Sequence, residues 1–566
     1  MKKFLATLLA AITTLSGLAM GVGCKIKDDI VNDDKTINIR LYKAGFGDTF
    51  IYELKKKFEA LYEEEGYKMN ILTPLSTNVG ANMIKQMSQG YDEVKVDLYI
   101  TGSITPNQVS PEGEYGELCE NLEEIVYKKK AINYDGTESE EPISERIVPD
   151  FEPFLRADNG VMYGFTWAQT TAGLVVNSKK LKAYGVTELP RTTNELFEIF
   201  DLIYNGNGEI AGSEVTKTYP VTYNLAVGEG GASTYQNCAL ESWIAQYDID
   251  TFNEFYRMQT LGTDGRWTDM EEGWKVFQNE NLKDVLETAY QFMDEKYSAD
   301  GSGDTSTTLD QTQGLIMKEG KNQNNAVFML NGDWFLNEVK TGYPSALNNI
   351  EFMNVPVISA LGVKLFGEST KYALNETECD ELLSYICKLV DENKSLEEII
   401  SSVATEKGIT LDEADAQKVA TARGTCYSRG IEHLAFIPKG CAKKDISALL
   451  LRMMASDDYA ETFMKHSNAS MPYTKNIQTT SQYKFVNQAK DLATNVHFRA
   501  INGYVQGIRF KVLKSSYMFP GMNNLALSLY GRASSQSYET AANELYNSSI
   551  TKAQEAWQEY LDKKNK

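Results

Sequence analysis

The chain has 566 residues, enough for two or more hydrophobic cores. It carries 56 Lys and Arg against 78 Asp and Glu, a formal charge of −22, which argues against nucleic acid or an anionic lipid surface as the partner. The three His and seven Cys show no C-x-x-C pair and no metal-ligand spacing, so neither a zinc site nor another cofactor is expected.

At the N-terminus, Lys2 and Lys3 precede a largely apolar stretch from Phe4 to Met20, the form of a secretory signal peptide. It ends Leu18-Ala-Met-Gly-Val-Gly-Cys24. Small residues directly before a Cys resemble the lipobox of bacterial lipoproteins, with Gly21 where Leu is usual. That resemblance implies cleavage before Cys24 and acylation of its thiol, and two or more acyl chains anchor a protein stably to a membrane. The apolar stretch is short for a membrane span, and Gly21 and Gly23 interrupt its end. Residues 1–23 therefore read as a lipoprotein signal peptide and 24–35 as a charged tether. The cysteines at 119, 238, 379, 387, 426 and 441 would then lie where disulfides are permitted, and up to three bridges are possible.

Lys35 to Tyr42 alternates as a strand does. A Gly-containing turn at 43–48, a helix at about Thr49–Glu64 with Ile51, Leu54, Phe58 and Leu61 on one face, a strand at Met69–Leu72, a helix at Asn78–Gln89 and a strand at Val96–Ile100 follow. This β-α-β-α-β order predicts an open α/β sheet, with loops at Gly45–Asp48 and Thr101–Ser103 at its strand ends. A short helix is expected at Asn121–Tyr127, a strand at Gly173–Asn177, and helices at Ser178–Tyr184 and Glu195–Tyr204. Tyr219–Leu225 predicts a strand running into Gly228-Glu-Gly-Gly231, which has neither phosphate-loop form. A single long helix is expected over Trp274–Asp294. Asp300–Ser306 alternates oxygen donors, but Thr305 and Gln311 stand where a calcium loop needs Gly and Glu, so it reads as a mobile loop.

Asn325-Ala-Val-Phe-Met-Leu-Asn-Gly-Asp-Trp334 is the stretch around which the chain is organised. It predicts a strand over Ala326–Leu330, a turn at Asn331-Gly332, and a helix capped by Asp333 that begins with Trp334. Beyond it, helices are expected at Thr377–Leu389, Ser395–Ala404 and Leu411–Thr421, the last capped by Thr410. A strand at about His433–Ile437 and helices at Ser447–Ala455 and Asp457–Lys465 come next. Ile508–Leu513 reads as a strand, and the tail from about Thr540 as a helix with Ala553, Trp557 and Leu561 on one face.

Three of these segments resemble family 1 extracellular solute-binding proteins of ABC transporters, the carbohydrate-binding, maltose-binding-protein-like group. They are Asn177 to Leu196, with Pro190-Arg-Thr-Thr-Asn-Glu-Leu196; Asn325 to Val339, with Asn331-Gly-Asp-Trp334; and Phe436 to Tyr473, with Ile437-Pro438 and Ser456-Asp457. The resemblance spans nearly the whole mature chain. It implies an α/β, two-lobed periplasmic-binding-protein-like fold with a hinge and an interlobe cleft. The N-terminal lobe would comprise 36–168 and 432–472. The C-terminal lobe would comprise 173–430 and 475–566, with a helical insertion at about 376–422.

The same resemblance implies a lipid-anchored extracellular binding subunit, a monomer and not an enzyme. It would take a carbohydrate, an oligosaccharide, in the cleft and pass it to ABC permease subunits. The chain has 6 Trp, 32 Tyr and 23 Phe to offer to sugar rings. The expected stacking residues are Trp167 and Trp334, with Phe46, Tyr163 and Tyr427. The expected hydrogen-bonding residues are Asp48, Thr101, Asp333 and Arg429. Arg423 and Arg429 would favour an acidic ligand if both faced the cleft. A peptide receptor, a secreted glycoside-active enzyme and an adhesive surface protein are the alternatives; the enzyme would need two suitably spaced carboxylates, and no G-x-S-x-G occurs.

Overall fold

The computed structural model describes residues 29–74, 79–102, 104–148, 152, 155–206, 217–223, 233–262, 267–299, 307–319, 324–428, 433–473, 480–495, 497–499 and 536–564. Cys24 and the expected signal peptide, the expected loop at 300–306, the expected strand Ile508–Leu513 and Arg429 lie outside these residues.

The chain opens with β1 (Thr36–Leu41), helix Thr49–Leu61, β2 (Lys68–Ile71), helix Val79–Ser88 and β3 (Leu98–Ile100). The first helix forms because Phe50, Ile51, Leu54 and Phe58 share the buried face. A two-residue strand, β4 (Phe165–Thr166), follows, and residues 167–170 lead into β5 (Thr171–Asn177). Strands β6 (Thr218–Thr222), β7 (Asn325–Gly332) and β8 (Ile350–Met353) come next, then β9 (Thr425–Ser428), β10 (Leu434–Phe436) and β11 (His497–Arg499).

These strands form two sheets. The first has the order β2-β1-β3-β10-β4, with β1 parallel to β2 and β3, and β10 antiparallel to β3 and β4. The second has the order β11-β9-β5-β7-β6. Strand β5 is its axis. One edge of β5 pairs with β7; the other pairs with β8 along Leu174–Asn177 and with β9 along Thr171–Ala172. Every residue of β1, β5 and β7 is buried, as expected for strands covered on both faces. Helices Lys444–Met454 and Asp457–Ser467 pack with the first lobe, where Phe463 meets Phe50 with ring centroids 5.0 Å apart.

The chain therefore passes between the two sheets at 167–170 and again between β9 and β10. Gln169 pairs with Ser470 in an isolated antiparallel bridge, which ties a third segment to the first crossing.

Several local expectations are corrected. Asn331 and Gly332 do not break β7 but complete it, paired with Gly173 and Ala172. Asp333 does not cap the next helix, Phe335–Val339, because its carboxylate accepts from Thr171 N at 3.3 Å. The expected helix over Trp274–Asp294 is a 3-10 segment, Gly273–Gln278, and a separate helix, Asn281–Phe292. Asn279 divides them: its backbone is extended, and its side chain accepts from Asn281 N at 3.1 Å. The third of the helices expected over 376–422 is Glu413–Gly424, with Asp412 in place of Thr410 at its start; Asp412 offers no side-chain cap because its carboxylate pairs with Lys371. The first two, Glu376–Asp391 and Leu396–Lys407, start with capping boxes, Asn375/Glu378 and Ser395/Glu398.

All six described cysteines are buried free thiols. Cys379 and Cys387 lie on one helix, about 12 Å apart along its axis, far outside bridging range. No described helix is long and apolar enough to cross a membrane. The C-terminal helix, Tyr538–Lys564, seats Trp557 over Gly273 with its Nε1 donating to Glu271 O at 3.2 Å.

Candidate functional site at the junction of the lobes

Two groups of expected site residues meet where the lobes adjoin. In the first lobe, β3 ends at Ile100, and Thr101 is wholly buried. Its Oγ1 donates to Leu434 O at 2.8 Å, and its carbonyl accepts from Trp167 Nε1 at 2.9 Å. Trp167 is itself fully buried. Phe50 stacks on it at 5.9 Å, while Phe46 and His433 meet it edge-on at 5.5 and 5.2 Å. Phe46 also touches His433 and Phe463. These contacts place Trp167, Phe46 and Thr101 in the packed core of the first lobe. The rings lock one another, and the Thr101 oxygens are taken within the lobe, so in this arrangement the three hold the core together rather than present a stacking face.

In the second lobe, Asp333, Trp334 and Tyr427 come together around the start of β5, because Ala172 pairs with Gly332 on one side and with Tyr427 on the other. Trp334 folds back over the end of β7. A Cβ on Gly332 would fall 2.2 Å from its ring, so only glycine admits this pose. The other edge of the indole meets the first lobe: a Cβ on Gly45 would sit 3.4 Å from it and 3.4 Å from Glu338 Oε1. The same turn is fastened to the first lobe through Asn337, whose Nδ2 donates to Ser467 O and whose Oδ1 accepts from Asn468 Nδ2 at 2.7 Å.

The other expected residues stand apart from these groups. Tyr163 is buried, and its hydroxyl accepts from Asn159 Nδ2 at 3.1 Å. Asp48 lies 3.9 Å from Lys43 Nζ. Arg423 does not reach the junction; it pairs with Asp391, with Nε to Oδ1 at 2.7 Å and Nη2 to Oδ2 at 2.9 Å.

The junction has a property that no pattern announced. Thr170 Oγ1, Thr171 Oγ1, Asn331 Nδ2, Asp333 Oδ1 and Ser470 Oγ are all buried without a hydrogen-bond partner among the described residues. They belong to one neighbourhood. Asp333 N donates to Thr171 O at 2.9 Å, and Gln169 N to Ser470 O at 3.0 Å. A buried polar group without a partner costs on the order of 1–3 kcal/mol, so five on three adjoining segments is a concentrated expense. Burial pushes the Asp333 carboxyl well above the usual carboxylate range, and its backbone hydrogen bonds only partly oppose the shift. The available signal was the polar run Gln169-Thr-Thr171 between the apolar residues of β4 and β5; Ser470 carried none.

Among the described residues no group of His, Cys, Asp or Glu could hold a metal ion. A concavity of about 620 Å³ lies elsewhere on the second lobe, lined by Tyr247, Met270, Leu361 and Lys418, and takes no part in the junction.

No protein-family model matches the chain, and no curated protein matches it in sequence. Solved structures do match it in fold. A chitin oligosaccharide binding protein aligns at 12% identity over 92% of this chain and 100% of its own, with a TM-score of 0.54. A probable secreted solute-binding lipoprotein from Streptomyces coelicolor aligns at 12% identity over 93% and 100%, with a TM-score of 0.55. The sugar-binding protein MalE from Xanthomonas citri aligns at 13% identity over 94% and 99%, also with a TM-score of 0.55. The chain has the two-lobed α/β fold of periplasmic solute-binding proteins.

Proposed function

We propose that this chain is the lipid-anchored, extracellular solute-binding subunit of an ABC importer. It belongs with the carbohydrate-binding family 1 receptors, binds an oligosaccharide between its lobes and presents it to the permease. The lobes are taken as 36–168 with 432–472, and 173–430 with 475–566, and Cys24 as the acylated residue of a monomer. Anchoring keeps such a receptor at high effective concentration beside its permease.

The observation that carries the reading is the set of partnerless polar atoms beside Trp334. Sugars present many hydroxyls that both donate and accept, together with apolar ring faces. Thr170, Thr171, Asn331, Asp333 and Ser470 would serve the hydroxyls, and Trp334 a ring face. Asp48, Tyr163, Tyr427 and Arg429 remain proposed outer contacts. Phe46, Thr101 and Trp167 would act by holding the first-lobe wall.

Thermal unfolding against a panel of mono- and oligosaccharides tests this. A ligand that binds the folded state raises the midpoint by mass action, and the account expects such a rise with at least one sugar class. A rise with peptides alone would keep the receptor and reject the carbohydrate.

A further inference from the structure

Two polar contacts run directly from one lobe to the other. The first is an ion pair. Arg257 is the last residue of helix Ile249–Arg257 in the second lobe, and Met258 after it turns the chain through the left-handed region at φ 51°. Arg257 Nη1 lies 3.6 Å from Asp158 Oδ1 of the first lobe, with the side chains 2% and 36% exposed. Asp158 is fixed in place for this contact. Its backbone N–H donates to Asn107 Oδ1 at 2.6 Å, and Asn107 Nδ2 donates to Asp158 Oδ1 at 3.1 Å. Asn107 is itself buried on a short helix, Pro106–Val109, whose start is closed by a capping box of Thr105 and Gln108.

The second contact is an amide clasp. Asn337, on helix Phe335–Val339 of the second lobe, donates through Nδ2 to Ser467 O and accepts at Oδ1 from Asn468 Nδ2 at 2.7 Å. Ser467 ends helix Asp457–Ser467 of the first lobe, and Asn468 follows in the left-handed region at φ 53°. The last carbonyls of a helix have no partner within it. Asn337 therefore supplies, from the other lobe, a donor that this helix end lacks. The ion pair and the clasp share no residue and no element.

We propose that these two contacts are latches that hold the lobes together, and that both must release before the lobes part. Hinge motion moves each lobe as a rigid body. The bonds within a lobe, such as those between Asn107 and Asp158, then survive opening, and the contacts made across the gap break. An ion pair with one partner enclosed is screened less than an exposed one, so Arg257 and Asp158 hold more firmly than a surface pair. Each latch favours the closed state, and their effects on the ratio of closed to open molecules multiply. The proposal rests on the two-lobed fold and not on the identity of the solute.

Small-angle X-ray scattering of the purified protein, with no solute added, tests this. Asp158→Asn keeps the side-chain shape and the bonds to Asn107 but removes the charge. Asn468→Gly suits the left-handed backbone but removes the amide. Each should raise the radius of gyration above the parent's, and the double variant should raise it further. Asp158→Lys sets a like charge against Arg257 at a half-exposed position and should open the lobes more than Asp158→Asn. A cooperative thermal transition in each variant separates opening of the lobes from loss of the fold. A radius of gyration equal to the parent's in the folded double variant, or in folded Asp158→Lys, would overturn the proposal.

Discussion

The two tryptophans expected in a cleft stand in opposite circumstances. Trp167 follows a strand of the first lobe and has its indole N–H bonded and its ring enclosed by Phe46, Phe50, His433 and Phe463. Trp334 follows a strand of the second lobe, and glycines, Gly332 and Gly45, border its ring on both sides. The polar neighbours differ in the same way. Thr101 has both oxygens engaged, whereas Thr171 Oγ1 and Asp333 Oδ1 have no partner. An aromatic residue and a short polar residue at a strand end therefore make equally good sequence signals for a wall and for a site. Hydrogen-bond completion separates the two.

The largest expected difference is in stability. Trp167→Ala should cost about 3–5 kcal/mol in denaturant unfolding, because a fully packed ring is removed from a core. Trp334→Ala should cost less, since its side chain keeps 8% exposure where Trp167 keeps none, but should abolish the sugar-induced rise in midpoint. If Trp334→Ala proves the more destabilising and still binds, the contrast between the two lobes fails.

Gly332→Ala comes next. The new methyl must displace the Trp334 ring, and the expected outcome is sugar binding weakened about tenfold or more with a stability loss of about 1–3 kcal/mol for the added bulk. Unchanged affinity would show that the folded-back pose is not needed.

A smaller effect is electrostatic. The Asp333 carboxyl is raised in the folded state, so the native protein holds a proton that the unfolded chain releases. Stability must then fall as pH rises from the ordinary carboxylate range towards the raised value. Asp333→Asn removes that slope, so its stability relative to the parent should increase with pH. A difference independent of pH would mean that Asp333 titrates normally.

Much of the fold is legible in the sequence. The β-α-β-α-β opening follows from alternation and helical spacing, both local properties, and so do the helices Glu376–Asp391, Leu396–Lys407 and Glu413–Gly424. What is not legible depends on residues far away in the chain. Asn331-Gly332 has the composition of a turn, yet β5 gives it partners. Asp333 has the chemistry of a cap, but Thr171, 162 positions away, takes its carboxylate. The enclosure of Trp167 depends on Phe463, which nothing in the local pattern connects to it. The family resemblance brought Asp333 and Trp334 forward, but the partnerless Thr170, Thr171 and Ser470 emerge only when each buried donor and acceptor is followed to its partner.

The most direct measurement is a paired substitution read by calorimetric titration of the sugar that raises the midpoint, together with unfolding. Thr101→Val and Thr171→Val remove one hydroxyl each at nearly constant shape. Thr101→Val should cost about 1 kcal/mol of stability and leave affinity nearly unchanged, because its hydroxyl is satisfied inside the lobe. Thr171→Val should leave stability unchanged or slightly raised and weaken the sugar about fivefold or more, because its hydroxyl gains a partner only from ligand. Parental affinity in Thr171→Val would contradict the claim that the partnerless polar atoms of the junction form the ligand site.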